Sequence, residues 1–298
     1  MTALILMGVC LLVGGLVARF GKPPAALAQC LNWWVINIAL SGLVLHLIPQ
    51  LQLDWHLWFL PASMWFVTLG GWAFFAAIGR ALHWSRARIG ALTLVCGFGN
   101  TSFIGFPLIE ALRGFDALKL AVLADQAGVF FALGTAGTFI AALYSGRSVA
   151  PKAIAYRIVT FPPFVCLLLG LVVGASGGWP DWIDGVLARL GSTLMPLALF
   201  SVGLQFRLSV RAGQWSAMTI GLIWKLLLAP LGVWLAARAL SVEPPAMTVA
   251  VLEAAMAPMI AATIIAVQHD LEPDLANTVL SVGILLAFAT VPLWNLLL

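Results

Sequence analysis

Cys96-Gly-Phe-Gly-Asn-Thr-Ser-Phe-Ile-Gly-Phe-Pro-Leu-Ile109 lies inside a long apolar run, yet it collects residues that an intact membrane helix avoids in combination. Pro107 has no N–H, so it deprives the carbonyl of Phe103 of its helical partner. Gly97, Gly99 and Gly105 lower the cost of unwinding, and Asn100, Thr101 and Ser102 bring side-chain donors and acceptors to freed backbone. Within hydrocarbon such a break survives where it is buried in protein or lines a wet cavity. A lone proline reads as a kink. A second interrupted span changes the reading: the segment 247–268 carries Pro258 among Ala254, Ala255, Ala257, Ala261 and Ala262. Interrupted spans at corresponding positions of two halves point to a transporter's binding site.

The 298 residues around this stretch are 62% hydrophobic and 9% charged, with a mean hydropathy of +1.06, which no soluble domain could bury. The composition describes an all-α polytopic membrane protein. Cys10, Cys30, Cys96 and Cys166 are scattered in or beside apolar runs without a Cys-x-x-Cys pair. They read as small buried hydrophobes, not as a disulfide framework or a metal site. The net charge of +4 suits loops facing anionic lipid rather than a nucleic-acid surface. The first 18 residues lack a charged leader and read as an uncleaved first span.

Charges and turn residues cut the chain into ten apolar spans: 2–18, 31–48, 57–78, 89–112, 118–144, 154–176, 186–206, 215–237, 247–268 and 275–298. Each is long enough to cross as a helix. Loops after the odd-numbered spans hold Arg19, Lys22, Arg80, Arg86, Arg88, Arg147, Lys152, Arg157, Arg207 and Arg211. The opposite loops hold Arg113, Lys119, Arg189 and Arg238. The excess of positive charge places the first set in the cytoplasm and both termini outside. One loop dissents: 269–274 carries no Lys or Arg although this topology makes it cytoplasmic, but acidic residues count little in the rule and the assignment stands. A polar stretch at 144–153 then separates a first repeat, 1–143, from a second, 154–298. Five spans per half require the halves to be inverted. The shared order of features, a broken fourth and ninth span each followed by a short polar turn and a final span, supports the division.

Charged residues inside spans are costly unless paired or wetted, which makes Glu253, Asp125 with its neighbour Gln126, and Lys225 functional candidates. For the carboxylates, one reading is a buried pair that holds helices together. The other is coupling to a proton or cation, because protonation of a desolvated carboxyl can be linked to transport. Lys225 either snorkels to an interface, pairs with a carboxylate or attracts an anion. Gly170-x-x-x-Gly174 has the spacing of a helix contact. Trp33, Trp34, Trp55, Trp58, Trp84, Trp179, Trp182 and Trp215 sit near span ends as interfacial anchors. His46, His56, His83 and His269 fall at span ends without ligand spacing and read as solvated. Gly174-Ala-Ser-Gly177 matches a serine-nucleophile pattern of intramembrane proteases, but no mid-span His exists to serve as its base. No nucleotide-binding or metalloprotease pattern is present, so the chain reads as neither an enzyme nor an ATP-driven pump.

The stretch Gly99-Asn-Thr-Ser-Phe-Ile-Gly-Phe-Pro-Leu108 resembles the fourth-span motif of the auxin efflux carrier (PIN-like) family. Lys225-Leu-Leu-Leu-Ala-Pro230 resembles the family's eighth span, and Glu253-Ala-Ala-Met-Ala-Pro258 falls at its ninth-span break, with Ala257 where plant members have Pro. The long cytoplasmic loop of the plant carriers is reduced here to 144–157, as in bacterial members. The resemblance implies a fold shared with bile-acid sodium symporters, namely two inverted five-helix repeats with helices four and nine crossing near the midplane. It implies a scaffold of helices 1, 2, 6 and 7, a moving transport domain of helices 3–5 and 8–10, and a homodimer in the bacterial inner membrane. Family substrates are small organic anions such as auxin, malate and malonate. The implied substrate site comprises Asn100, Thr101, Ser102, Gly105, Pro107, Met256, Ala257 and Pro258, and the implied ion-coupling set is Glu253, Asp125, Gln126 and Lys225. No cofactor or metal is expected beyond Na⁺ or H⁺ as coupling ion. Half-helix N-termini with free N–H groups suit a carboxylate independently of the resemblance. The runner-up reading is a cation/proton antiporter of similar crossed-helix design.

Overall fold

The computed structural model describes residues 2–51, 54–146, 160–205 and 213–298. Among them the regular structure is helical, apart from one isolated antiparallel bridge between Gly99 and Pro258. In chain order the helical segments are α1 (Thr2–Phe20), α2 (Leu27–Gln50), α3 (Phe59–Ala81), α4 (Arg86–Gly97), α5 (101–113) and α6 (Phe115–Ser145). The second half supplies α7 (Pro162–Ala175), α8 (Asp181–Gln205), α9 (Trp215–Ala239), α10 (Ala246–Ala254), α11 (Ile260–Gln268) and α12 (Pro273–Leu297). Six of these, α2, α3, α6, α8, α9 and α12, are long and apolar enough to cross a membrane. The chain is an all-helical, multi-pass membrane protein. Its outer faces agree: Leu12, Leu16 and Phe20 on α1, Val172 on α7 and Leu296 on α12 are exposed, which water would penalise and lipid does not.

Glycines set the closest helix contacts. α1 lies along the second half of α8, where a Cβ built on Gly14 would stand 2.3 Å from the carbonyl oxygen of Phe200. A Cβ on Gly203 would stand 2.4 Å from the carbonyl of Leu11. Only the absence of side chains lets these two backbones touch. α2 and α8 run antiparallel, with Gly42 against Leu190 and Gly191 against Leu43. α7 lies along the second half of α2, and the Gly170-x-x-x-Gly174 face sits on Ile48 and Pro49, the helix contact its spacing predicts. α3, α4, α6, α9, α10, α11 and α12 pack among themselves, and α5 reaches from this group to α1 and α8.

The structure moves the first break. Pro107 is not its hinge: it lies inside α5, just after the π turn Thr101–Gly105, and the backbone stays helical through it. The chain leaves helical geometry earlier, at Phe98-Gly99-Asn100, and re-enters through a π turn at Thr101–Gly105. The second break, between Ala254 and Ile260, does contain Pro258. Of the sequence features, Arg147, Lys152, Arg157, Phe206, Arg207, Arg211 and most of the stretch 144–153 lie outside the described residues.

The close approach of α1 and α8 predicts that Gly14→Ala and Gly203→Ala each lower the midpoint of thermal unfolding in detergent, at an overpacking cost of about 1–3 kcal/mol. Gly15→Ala, whose new Cβ would meet nothing nearer than 3.9 Å, should leave the midpoint unchanged.

Candidate functional site

The two breaks meet. The N–H of Asn100 donates to the carbonyl of Ala257 at 2.7 Å, beside the Gly99–Pro258 bridge. Each interrupted chain thus satisfies backbone that the other leaves open, as an apolar interior demands. Side chains complete the repair. Thr68 Oγ1 on α3 donates to the carbonyl of Gly97 at the end of α4, at 3.0 Å, and the carbonyl of Asn100 accepts from Gly105 N–H at 3.0 Å. The approach also fixes the residue types. A Cβ on Gly99 would lie 3.2 Å from both the Glu253 carbonyl oxygen and Lys225 Nζ, and one on Gly105 would lie 2.8 Å from Glu253 Oε2. Pro258 seats on Gly283 of α12, where a Cβ would come within 2.4 Å of its ring.

Asn100, Thr101, Ser102, Asp125, Gln126, Lys225 and Glu253 are all buried around this crossing. Asp125, on α6, accepts from the hydroxyl of Thr101, from Ser102 Oγ at 2.8 Å and from Gln126 Nε2 at 2.7 Å. Lys225, on a π turn of α9, donates to the carbonyl of Ala254 at 2.6 Å. Helix electrostatics explain this division. Asp125 sits at the positive N-terminal end of α5, and Lys225 at the negative C-terminal end of α10. Both half-helix N-termini and both C-termini converge here, so the crossing offers partial charge of either sign. Among the described residues no ion pair ties Lys225 to a carboxylate. Around the crossing four buried polar atoms have no protein partner: Asn100 Nδ2, Gln126 Oε1 and both carboxyl oxygens of Glu253.

The structure therefore brings together most of the residues singled out in the sequence and redistributes their roles. Thr101 and Ser102 spend their hydroxyls on Asp125, leaving Asn100 Nδ2 as the side-chain donor for an anion. Gly105, Met256, Ala257 and Pro258 shape the crossing; Met256 and Ala257 are fully buried. Pro107 stands beyond it, on a cavity wall. Lys225 does not snorkel, since its ammonium is held inside at 0% exposure. Nor is His46 solvated, for its Nδ1 lies 2.7 Å from Asp184 Oδ1, and His269 Nδ1 lies 3.0 Å from Ser145 Oγ. Ser176 bonds its own helix through the carbonyl of Val172 at 2.9 Å. One charged residue was overlooked: Glu110, half-buried on α5, although its position inside the span 89–112 was signal enough. Among the described residues no three His, Cys, Asp or Glu side chains gather as a metal centre.

Comparison with known proteins adds a family. A model described as "Membrane transport protein" matches residues 1–295. An uncharacterized transporter of Methanothermobacter thermautotrophicus is 28% identical over 278 residues, 91% of this chain and 89% of that protein. An uncharacterized transporter of Methanocaldococcus jannaschii is 23% identical over 215 residues, 70% of this chain and 68% of its own.

The hydrogen bonds of Asp125 predict an order of stabilities. Asp125→Ala strands three buried donors and should lower thermal stability well below that of Asp125→Asn, which keeps an acceptor, by about 1–3 kcal/mol for each group left unsatisfied. Thermal unfolding of the two purified variants checks it; equal midpoints would refute the network's structural weight.

Proposed function

We propose that this chain, which belongs to the membrane transport protein family of auxin efflux carrier-like proteins, is a secondary transporter of small organic anions such as malate, malonate or auxin-like acids. One observation carries the reading: two broken helices cross, and an unpartnered Asn100 amide and an unpartnered Glu253 carboxyl are both buried at the break. The free N–H groups at the starts of α5 and α11, with Asn100 Nδ2, suit a carboxylate. Glu253, flanked by Lys225 and by Asp125, suits a proton or Na⁺ that enters and leaves with each cycle. The absence of an Arg from the crossing suits moderate affinity, which a carrier needs for release.

The architecture we assign is ten spans in two inverted repeats, with α4–α5 and α10–α11 as the broken fourth and ninth. Contacts support it: α1 lies on the second half of α8 as α7 lies on the second half of α2, and α2 and α8 pack antiparallel. In this reading α1, α2, α7 and α8 form the scaffold and the other helices a domain that slides against it. Cavities of about 180 and 370 Å³ lie between the two groups, one reached by α11 and α7 and the other by α5 and α8. We place the protein in the cell membrane as a homodimer with both termini outside. Two carboxylates at one crossing also favour a cation/proton antiporter as the second reading.

Purified protein in liposomes tests the choice. Carboxylate uptake should proceed without ATP, respond to an imposed Na⁺ or proton gradient, and fall at least about tenfold in Asn100→Ala, the loss of about 1.4 kcal/mol or more in binding. Glu253→Gln should retain carboxylate exchange but lose its response to the gradient. Cation exchange with no carboxylate present would select the antiporter, and full gradient response in Glu253→Gln would remove that residue from coupling.

A further inference from the structure

The larger of the two cavities holds a group that the crossing does not use. It is bounded by α1, α2, α5, α6 and α8, and its wall includes Leu6, His46, Phe106, Pro107, Glu110 and Ser192. At its inner end stand Phe106 and Pro107, directly after Gly105, the residue packed against the Glu253 carboxyl. The remainder of the wall is almost wholly apolar, so Glu110 dominates its electrostatics.

The nearby charged groups are engaged elsewhere or lie off the wall. Arg113, one turn along α5 and suitably spaced to pair with Glu110, instead donates to Asn295 Oδ1 at 2.5 Å and to the Asn295 carbonyl at 2.9 Å. Lys119 stands 5.6 Å over the ring of Phe115 and pairs with Asp116 at 3.0 Å. His46 faces Asp184, and Arg189 on α8 is exposed. The Glu110 carboxylate has no hydrogen-bond or ion-pair partner among the described residues and is the one Asp, Glu, Lys or Arg side chain among those lining the cavity, whereas Arg113, which keeps its charge, is not part of the wall and is bonded to Asn295 on α12. Such a wall concentrates cations and repels anions. A substrate anion is poorly served by it; a coupling cation is well served.

We propose that this cavity is a cation-access vestibule, opening to the extracytoplasmic side, in which Glu110 takes up the coupling proton or monovalent cation on its way to Glu253. The inference rests on the transporter reading, and it assigns that transporter separate approaches for its cation and its anion.

Charged thiol reagents test it without requiring transport. Ser192→Cys places an exposed thiol on the vestibule wall. Membrane-impermeant cationic and anionic methanethiosulfonates are applied to intact cells, with the native chain as blank. After correction for intrinsic reactivity, the cationic reagent should react about tenfold faster, and Glu110→Gln should lower that ratio at least about threefold. Slowing of the cationic reagent by Na⁺ at constant ionic strength identifies Na⁺ as the occupant. A ratio that falls on acidification and ignores Na⁺ identifies the proton; either result supports the vestibule. An unchanged ratio in Glu110→Gln, no reaction, or reaction confined to inverted vesicles would overturn it. Carboxylate uptake by the native chain stands or falls separately, so failure here is distinguishable from failure of the transporter reading.

Discussion

Backbone polar groups released inside a bilayer have no water to turn to, and the hydrogen bond from Asn100 N–H to the Ala257 carbonyl is how this chain meets that constraint. Two helices cannot each be broken in hydrocarbon independently at tolerable cost. Broken at the same place and facing one another, each supplies part of what the other lacks. The requirement propagates outward. The strands can approach because position 99 is glycine, the helix after the first break can pass Glu253 because position 105 is glycine, and Pro258 finds room because position 283 is glycine. The crossing thus depends on three glycines, two on the broken fourth span and one on α12.

The charges follow from the same geometry. Breaking two helices creates two positive and two negative ends within one buried volume, and the chain answers with a carboxylate at one of the former and an ammonium at one of the latter. Asp125 and Lys225 are therefore better explained as counterparts of helix ends than as partners of each other. Glu253 stands outside this accounting. It is on the last turn of α10, where the helix dipole disfavours a negative charge, and it accepts no hydrogen bond from the protein. Neither a protein donor nor a favourable helix end stabilises this carboxyl, in contrast to Asp125.

Much of this was legible in the sequence, for reasons that can be named. Long apolar runs, interrupted twice by Gly, Pro and Asn, announce both the helices and the breaks, because the bilayer permits so few alternatives. Glu253, Asp125 and Lys225 stand out for the same reason: a charge in an apolar run is rare. What periodicity could not give was direction. Nothing in the order Asn-Thr-Ser indicates that the Thr101 and Ser102 hydroxyls turn to a carboxylate 23 or 24 residues away while the Asn100 amide remains open. The first hinge lies at Phe98-Gly99-Asn100 and not at Pro107, because the widened π turn Thr101–Gly105 carries the helix past the proline.

Glu110 and His46 show the complementary limit. His46, at a span end, reads from the sequence as solvated, and Glu110, inside the span 89–112, gives no sign of what it faces. The fold instead sets them along one cavity, because α2 and α5, far apart in the chain, are brought against α8 by the glycine contacts at positions 42 and 191 and by the approach of α5 to α1 and α8. The same backbone contacts that hold the helices together thus decide which polar groups border this cavity. The helices packed through Gly14, Gly42, Gly191 and Gly203 present an apolar wall, and against it Glu110 on α5 is the one Asp, Glu, Lys or Arg side chain among the described residues that line the cavity.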